Sequence, residues 1–231
     1  MKILGFIPAR AGSKSLKNKN FKKFLGKPLI YHSVQFCKNL KTVTPFVSSD
    51  SPNIKRINKK FHLNFDYLRP KNLSQDNSSI VEAVLHALKW LEKKNFKFDA
   101  VLLLQPTSPI RLQKEVNEMI KIFKRKKIQS IASAVKNTDV KDIVEVKKKK
   151  IKKFLLHKIN STNRQFLKGN FCTIDGSVYL AKTKFLKTYG NFVKTGKTSI
   201  FLSSVNPMID IDTKIEFETA QFLKKKVYNK I

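Results

Sequence analysis

The sequence Ile7-Pro8-Ala9-Arg10-Ala11-Gly12-Ser13-Lys14 follows a short apolar run, Ile3–Ile7, near the start of the chain. The apolar run predicts a first, buried strand. The small, flexible and cationic residues after it indicate a place to hold phosphates, because Gly12 would let consecutive N–H groups converge on an anion. Arg10 and Lys14 would add full charges around that anion. The spacing matches neither a Walker A loop nor G-x-G-x-x-G, so this stretch alone is equally well interpreted as an ordinary polar turn.

The rest of the chain alternates apolar, strand-like runs with amphipathic helical patterns. This order predicts an α/β fold of the Rossmann-like, doubly wound type, with a mostly parallel sheet and right-handed crossovers. Strands are predicted at Val43–Ser48, Leu63–Leu68, Asp99–Leu104, Ser130–Val135, Gly176–Ala181 and Ser199–Val205, and helices at Pro28–Leu40, Pro52–Phe61, Ile80–Lys93, Glu115–Lys127 and Thr213–Tyr228.

The alternation breaks down from Thr138 to Thr173. We expect this stretch to form strands and loops outside the main sheet, as a small dimerisation arm. The length of the chain is that of one domain with a full core, so we predict a single domain over residues 1–231 with the arm, approximately residues 138–173, inserted in it.

The formal net charge of +32 invites a nucleic-acid-binding interpretation. Only six of the 48 basic residues are arginine, however, and nucleic-acid readers favour arginine because its planar fork matches phosphates and guanine edges. The lysines are spread along nearly every polar face. Most of the charge is therefore interpreted as solvated surface, and a Lys-rich nucleic-acid-binding protein is kept as the alternative from a different class.

The two cysteines, Cys37 and Cys172, have no metal-binding or redox spacing, and they are interpreted as reduced thiols. No segment approaches the ~20 apolar residues that a membrane span needs. We therefore expect a cytoplasmic protein with no membrane partner and no specific nucleic-acid partner.

Polar residues follow the predicted strands, and ligands of open α/β sheets bind at the carboxyl ends of the strands. A further segment, Ile209–Thr213, carries Asp210 and Asp212 two residues apart, a spacing that places both on one face of a strand. Two such carboxylates beside a phosphate loop suggest Mg²⁺, with Mn²⁺ as a substitute. The alternative is that one aspartate caps the following helix and the other is solvated. The polar strand ends are Arg10–Lys14, Ser48–Ser51, Arg69-Pro70 and Gln105–Arg111.

Together these segments resemble the CMP–sialic acid synthetases, or acylneuraminate cytidylyltransferases, from Ile3 to about Phe222. The resemblance implies the nucleotide-diphospho-sugar transferase type of fold and a homodimer. The segments that carry it, in chain order, are Ile7–Lys14 with Lys19-Asn20, Ser48–Ser51, Arg69-Pro70 with Leu73 and Asp76, Leu104–Arg111, Arg164-Gln165 and Asp210–Asp212.

The resemblance also implies a reaction: the anomeric hydroxyl of a nine-carbon 2-keto-3-deoxy sugar acid, of the sialic or legionaminic type, attacks the α-phosphorus of CTP and pyrophosphate leaves. Roles carry over to matching positions of this chain. The implied catalytic residues are Arg10, Lys14, Lys19 and Asp212; the nucleotide-binding residues are Arg10, Ala11, Gly12, Ser13, Lys14, Asn20, Arg69 and Asp76; the sugar-binding residues are Gln105, Arg164, Gln165, Asp175 and Tyr179; and the metal ligands are Asp210 and Asp212.

The chain departs from the family pattern at Asp175-Gly176, where Asn-Gly is usual. Asparagine both donates and accepts hydrogen bonds, whereas ionised aspartate only accepts, so the identity of the sugar stays open. N-acetylneuraminate and legionaminate both fit, while the Gln105–Arg111 motif disfavours pseudaminate. A CMP-ketodeoxyoctulosonate synthetase is the nearest alternative enzyme, although Ser48–Ser51 and Gln105–Arg111 fit it poorly. No general base is identified.

Overall fold

The computed structural model describes residues 1–12, 16–125, 127–136, 172–205 and 207–227, and the backbone alone of residues 144–147, 150–154 and 228. Within these ranges, no helix is long and apolar enough to cross a membrane. In chain order the elements are β1 (Ile3–Pro8), β2 (Lys23–Phe24), β3 (Lys27–Pro28), α1 (Leu29–Lys38), β4 (Val43–Ser48), α2 (Ile54–Phe61), α3 (Ile80–Glu92), β5 (Ala100–Leu103), α4 (Gln113–Arg125), β6 (Ser130–Lys136), β7 (Val144–Lys147), β8 (Lys150–Phe154), β9 (Cys172–Lys182), α5 (Thr183–Tyr189), β10 (Thr198–Leu202) and α6 (Lys214–Leu223), with short 3-10 helices at Lys19–Phe21 and Lys71–Leu73 and a π-helical turn at Lys224–Tyr228.

The main sheet has six strands in the order β10-β6-β9-β5-β1-β4. Strand β1 is parallel to both β4 and β5, and β10 is parallel to β6. Strand β9 is antiparallel to its two neighbours, β5 and β6. The predicted Rossmann-like, mostly parallel sheet is therefore confirmed, with one reversed strand inserted near its centre.

Helices cover both faces of the central strands, as the continuous apolar runs of those strands require. Side chains alternate along β1, so that Ile3 and Ile7 pack with α1, α2 and α4, whereas Leu4 and Phe6 pack with α3 and α5. A third, smaller cluster joins Phe24, Ile211 and helix α6. This cluster anchors the C-terminal helix beside the carboxyl end of β1.

The strand predicted at Leu63–Leu68 is wrong. These residues form no strand, although Phe65 and Tyr67 are buried against α3. Their alternating pattern is satisfied by side-chain packing, and the backbone joins the sheet region only where the Arg69 N–H donates to the Ser49 carbonyl at 2.8 Å. The polar residues at Arg69-Pro70 therefore do not follow a strand.

The predicted arm is only partly described. Strands β7 and β8 pair with each other in a separate two-stranded sheet, outside the main sheet as expected. The predicted C-terminal bound of the arm, Thr173, is wrong. Cys172 and Thr173 already belong to β9 and pair with Lys136 and Val135 of β6. Residues 155–171 lie outside the described residues, and the dimerisation role of the arm stays a prediction.

Candidate active site

A cavity of about 440 Å³ opens at the carboxyl ends of β1 and β5. This is the edge of the sheet where the sequence predicts ligand binding. Its walls come from the loop after β1, the short 3-10 helices, the start of α3, the loop after β5 and the segment before α6. The predicted site residues that line it are Arg10, Lys19, Asn20, Arg69, Asp76, Gln105 and Asp212.

The loop after β1 carries the first predicted cation of the site. The Arg10 guanidinium forms an ion pair with Asp76 at 2.6 Å, and the Ala11 N–H donates to Asp50 Oδ1 at 2.8 Å. Asn20 is buried and holds the loop in place, because its Nδ2 donates to the Arg10 carbonyl at 3.0 Å. The turn residue Gly12 is exposed and does not adopt a positive φ, so its backbone does not require glycine. Ser13 and Lys14 lie outside the described residues.

Lys19 links this loop to the C-terminal part of the chain. Its Nζ donates to the Ile211 carbonyl at 2.6 Å and to Asp212 Oδ1 at 2.7 Å. Lys19 is only 8% exposed although it carries a charge, and an ammonium group leaves water at a cost unless acceptors replace the solvent. The two contacts therefore fix the ammonium group between the predicted nucleotide side and the predicted metal segment.

Arg69 reaches the same cavity from the coil after Leu68. Its Nε donates to Ser48 Oγ at 2.9 Å and its Nη2 to the Ser48 carbonyl at 2.6 Å, which ties it to the end of β4. Burial lowers the pKa of Arg69 below its ordinary value. Behind it, the Tyr67 hydroxyl contacts His86 Nδ1 at 2.8 Å, and burial raises the pKa of Tyr67 to about 12. No role was predicted for Tyr67, because the alternating pattern around it was interpreted as a strand.

Gln105, which is predicted to face the sugar, is held by β9. Its Nε2 donates to the carbonyl of Gly176 at 3.2 Å, and Gly176 has a φ of +73°, a conformation that favours glycine. The guanidinium of Arg111 donates to the Gln105 carbonyl and, at 2.8 Å, to the carbonyl of Ser177. Sequence reasoning gave Arg111 no role, because only the folded chain brings it to β9.

Asp175 lies on the same strand and is only 6% exposed. Its Oδ1 accepts hydrogen bonds from Ser133 Oγ at 2.5 Å, from the Ser177 N–H at 2.9 Å and from Ser177 Oγ at 2.8 Å. One half of the carboxylate is therefore occupied by the protein. Tyr179, the other predicted sugar-binding residue on β9, is partly buried, and its ring centroid lies 5.9 Å from that of Phe192. Arg164 and Gln165 lie outside the described residues.

The two carboxylates before α6 flank a buried residue. Asp210 and Asp212 are exposed, whereas Ile211 is buried and its N–H donates to the Thr107 carbonyl at 2.8 Å. In the described part of the chain these residues pair with no strand, but the exposed–buried–exposed alternation expected of an extended segment is kept. Neither aspartate caps the helix, because Thr213 is the N-cap and forms a capping box with Glu216. Neither carboxylate is therefore occupied by capping the helix.

A divalent cation fits this donor set. Within the described residues, no group of three or more His, Cys, Asp or Glu side chains gathers to enclose a metal. Mg²⁺ does not need such a cage, because it is usually bound by one or two carboxylates together with substrate phosphates and water. Asp210 and Asp212 could supply those two carboxylates, and Asp212 lines the cavity together with Arg10, Lys19 and Arg69.

The comparison with solved structures identifies the class of fold. The chain superposes on a CMP:2-keto-3-deoxy-manno-octonic acid synthetase solved in complex with CTP, with a TM-score of 0.71, 16% identity and coverage of 98% of this chain and 99% of that chain. A 4-diphosphocytidyl-2C-methyl-D-erythritol synthase gives the same TM-score at 11% identity, covering 96% and 97% of the two chains. The fold is that of sugar and alcohol nucleotidyltransferases.

The sequence comparison identifies the family. The model of the family described as cytidylyltransferase matches residues 4–200, and the chain belongs to that family. It is therefore a nucleotidyltransferase enzyme, as predicted. A CMP-N,N'-diacetyllegionaminic acid synthase of Legionella pneumophila is 29% identical over 231 residues, covering 96% of each chain. An N-acylneuraminate cytidylyltransferase of Escherichia coli is 27% identical, covering 97% of this chain and 52% of that protein.

Proposed function

We propose that this protein transfers CMP from CTP to the anomeric hydroxyl of a nine-carbon 2-keto-3-deoxy sugar acid. The hydroxyl oxygen forms a bond to the α-phosphorus, the bond from that phosphorus to the β-phosphate oxygen breaks, and the hydroxyl proton leaves. Pyrophosphate and a CMP-sugar are the products. The observation that carries the proposal is the junction at Lys19, which joins the nucleotide loop to Asp212 within one cavity that Gln105 also lines.

Phosphoryl transfer of this kind depends on positioning and on neutralising charge. Arg10, Lys14 and Lys19 supply the cations for the triphosphate and the leaving pyrophosphate. Arg10 exchanges its Asp76 partner for a phosphate oxygen when CTP binds, because both anions compete for one guanidinium group. Asn20 keeps the Arg10 loop in place by its hydrogen bond to the Arg10 carbonyl.

Asp210 and Asp212 would hold Mg²⁺, or Mn²⁺ in its place. The ion would polarise the phosphate and lower the pKa of the sugar hydroxyl. Lys19 keeps Asp212 oriented through its contact with Oδ1, so the second oxygen of that carboxylate is left for the ion. Arg69, fixed on Ser48, completes the nucleotide side of the cavity.

Gln105, Arg164, Gln165, Asp175 and Tyr179 form the proposed sugar side. The full-length similarity to the Legionella enzyme supports a legionaminic or sialic type of acid. A pseudaminic acid cytidylyltransferase of Campylobacter jejuni is 40% identical over 111 residues, which is 48% of both chains, so pseudaminate belongs among the acids to be tested. The eight-carbon octulosonate is supported by a likeness of fold alone.

The experiment is pyrophosphate release from CTP with a panel of these acids and Mg²⁺. We expect release with a nine-carbon acid and CTP together, and none when either is left out. Salt-sensitive RNA binding without pyrophosphate release on any acid would contradict the proposal.

We also propose that the enzyme is a cytoplasmic homodimer paired through residues 138–173 and the adjoining sheet edge. Ile200 and Leu202 of the edge strand β10 are 46% and 58% exposed, and Ile174 of β9 is 36% exposed. Leu202 lies opposite Ala134, which lies opposite Ile174, so the apolar side chains follow one line across the sheet. Sedimentation at micromolar concentration should give a dimer, and replacing Leu202 and Ile200 with lysine should shift it toward monomer. A monomeric wild-type protein would contradict this proposal.

A further inference from the structure

Arg111 contacts three separate elements around the cavity with one guanidinium group. Its Nε donates to the Ser177 carbonyl of β9 at 2.8 Å, its Nη1 to Ser33 Oγ of α1 at 3.2 Å, and its Nη2 to the Gln105 carbonyl. The ring of Phe36 covers the group, with its centroid 5.9 Å from Cζ. All three acceptors are neutral, and within the described part of the chain no carboxylate forms an ion pair with Arg111.

The Arg111 guanidinium forms no ion pair among the described residues, and the charges of Asp175 and Asp210 only partly offset the lowering of its pKa by burial. It is therefore a costly way to hold three neutral acceptors. Burial disfavours its charged form and lowers the pKa of Arg111 to about 10. An apolar side chain would fill the same space without that cost. What only arginine provides is a rigid, planar set of donors that fixes several acceptors in one geometry. The arrangement therefore indicates that Arg111 positions its acceptors rather than stabilising the fold.

The group that Arg111 positions is the amide of Gln105. Gln105 Nε2 donates to the Gly176 carbonyl, which lies one residue before the Ser177 carbonyl that Arg111 binds. A carbonyl accepts hydrogen bonds only from N–H or O–H groups, so this contact directs the amide nitrogen toward β9. Oε1 is the atom left for the cavity. It can only accept a hydrogen bond, so the group that meets it must be a donor.

We propose that Arg111 is a positioning residue, which fixes Gln105 against β9 so that Gln105 Oε1 accepts a hydrogen bond from a hydroxyl or amide N–H group of the sugar acid. The proposal rests on the proposed function for the identity of that ligand. Arg111 binds the main chain of Gln105, and Gly176 binds its side chain, so the two contacts together define the direction of the amide.

Other hydrogen bonds hold the rest of the loop, so Arg111 can be replaced without releasing the whole loop. The Thr107 carbonyl accepts from the Ile211 N–H at 2.8 Å, and the Pro109 carbonyl accepts from Lys224 Nζ at 2.7 Å. Replacement of Arg111 therefore releases the Gln105 end of the loop and leaves the other end bound. Arg111→Lys keeps the charge but not the planar set of donors, and Arg111→Met removes both.

The kinetic experiment is a double-mutant cycle between Arg111→Met and Gln105→Ala, with CTP and the preferred sugar acid. We expect Arg111→Met to lower kcat/KM for the acid about tenfold to a hundredfold, with an unchanged KM for CTP. Arg111→Lys should lower kcat/KM for the acid in the same way, because lysine lacks the planar set of donors. In the Gln105→Ala background, Arg111→Met should lower kcat/KM for the acid by less than about threefold, because the amide that Arg111 positions has already been removed. The exposed Arg56→Met is the matched control. Equal losses in both backgrounds would overturn the proposal.

A second measurement needs no turnover. The side-chain amide signals of Gln105 can be identified in a ¹⁵N–¹H spectrum by their loss in Gln105→Ala. In the wild-type protein we expect a single, shifted pair of signals, and in Arg111→Met a pair at the position of a free amide. Unchanged signals in Arg111→Met would overturn the positioning role. If no acid supports turnover, the proposed function fails, while this spectrum still decides the role of Arg111.

Discussion

At the scale of single residues, the cationic side chains of the site are held by both carboxylates and backbone carbonyls, as Lys19 is by Asp212 and Ile211. Roles for Lys19 and Arg69 were predicted from the resemblance to the family, because both lie in segments that match its motifs. Arg111 and Ser48 were not given roles, because their value depends on acceptors that are distant in sequence, such as the Ser177 carbonyl. Residue type can suggest chemistry, but it does not show which backbone carbonyls the fold brings within reach.

The metal role of the two carboxylates can be separated from a structural one. We expect Asp210→Ala and Asp212→Ala each to lower kcat roughly a thousandfold, since each removes charge stabilisation at the phosphoryl centre. Asp210→Ala should change Tm little, whereas Asp212→Ala should also lower Tm, because it removes one of the two acceptors of the buried Lys19 ammonium group. Neither aspartate is a helix cap, so no capping energy is lost. The exposed carboxylate variant Glu218→Gln in α6 is the control. Turnover near that of wild type with a lowered Tm would exclude the metal role of the residue concerned.

A substitution of Asp175 tests the proposed sugar side of the cavity. Asp175→Asn can keep the three hydrogen bonds to Oδ1, so we expect the fold to survive. The substitution removes a negative charge and adds an N–H donor. It should change the relative kcat/KM values among the sugar acids and leave the requirement for CTP intact. Identical relative values across the acids would mean that Asp175 does not set specificity.

At the scale of elements, hydrophobic periodicity predicted most helices and strands close to their observed bounds. It was wrong at Leu63–Leu68, where Phe65 and Tyr67 are buried by α3 without a strand ladder. It also gave no direction for β9, which runs antiparallel to its two neighbours, β5 and β6. An apolar run gives the same pattern in either direction, so the sequence could not distinguish them.

The contact between β1 and α1 gives a prediction at this scale. A Cβ on Gly5 would lie 2.2 Å from Cys37 Sγ and 2.8 Å from Val43 Cγ1, so Gly5→Ala must displace α1 or β4. We expect a loss of about 2 kcal/mol or more in the free energy of unfolding measured with urea. Cys37→Ala should recover part of that loss in the double variant, because it removes the closest atom. Strictly additive losses would show that the two positions do not compete for space.

At the scale of the whole molecule, family membership and fold agree with the order of motifs along the chain. The match over residues 4–200 includes the loop after β1, the Gln105 loop and β9, which lie far apart in sequence and meet at one cavity.

The most direct test of the central claim follows the phosphorus atoms of CTP. With CTP labelled at the α-phosphate, Mg²⁺ and N,N'-diacetyllegionaminate or N-acetylneuraminate, the label should move into a CMP-sugar. With CTP labelled at the γ-phosphate, the label should appear in pyrophosphate in equal amount, and Lys19→Met should lower both rates together. A label at the γ-phosphate released as inorganic phosphate, or α-label that stays in free nucleotide with every nine-carbon acid, would contradict the account.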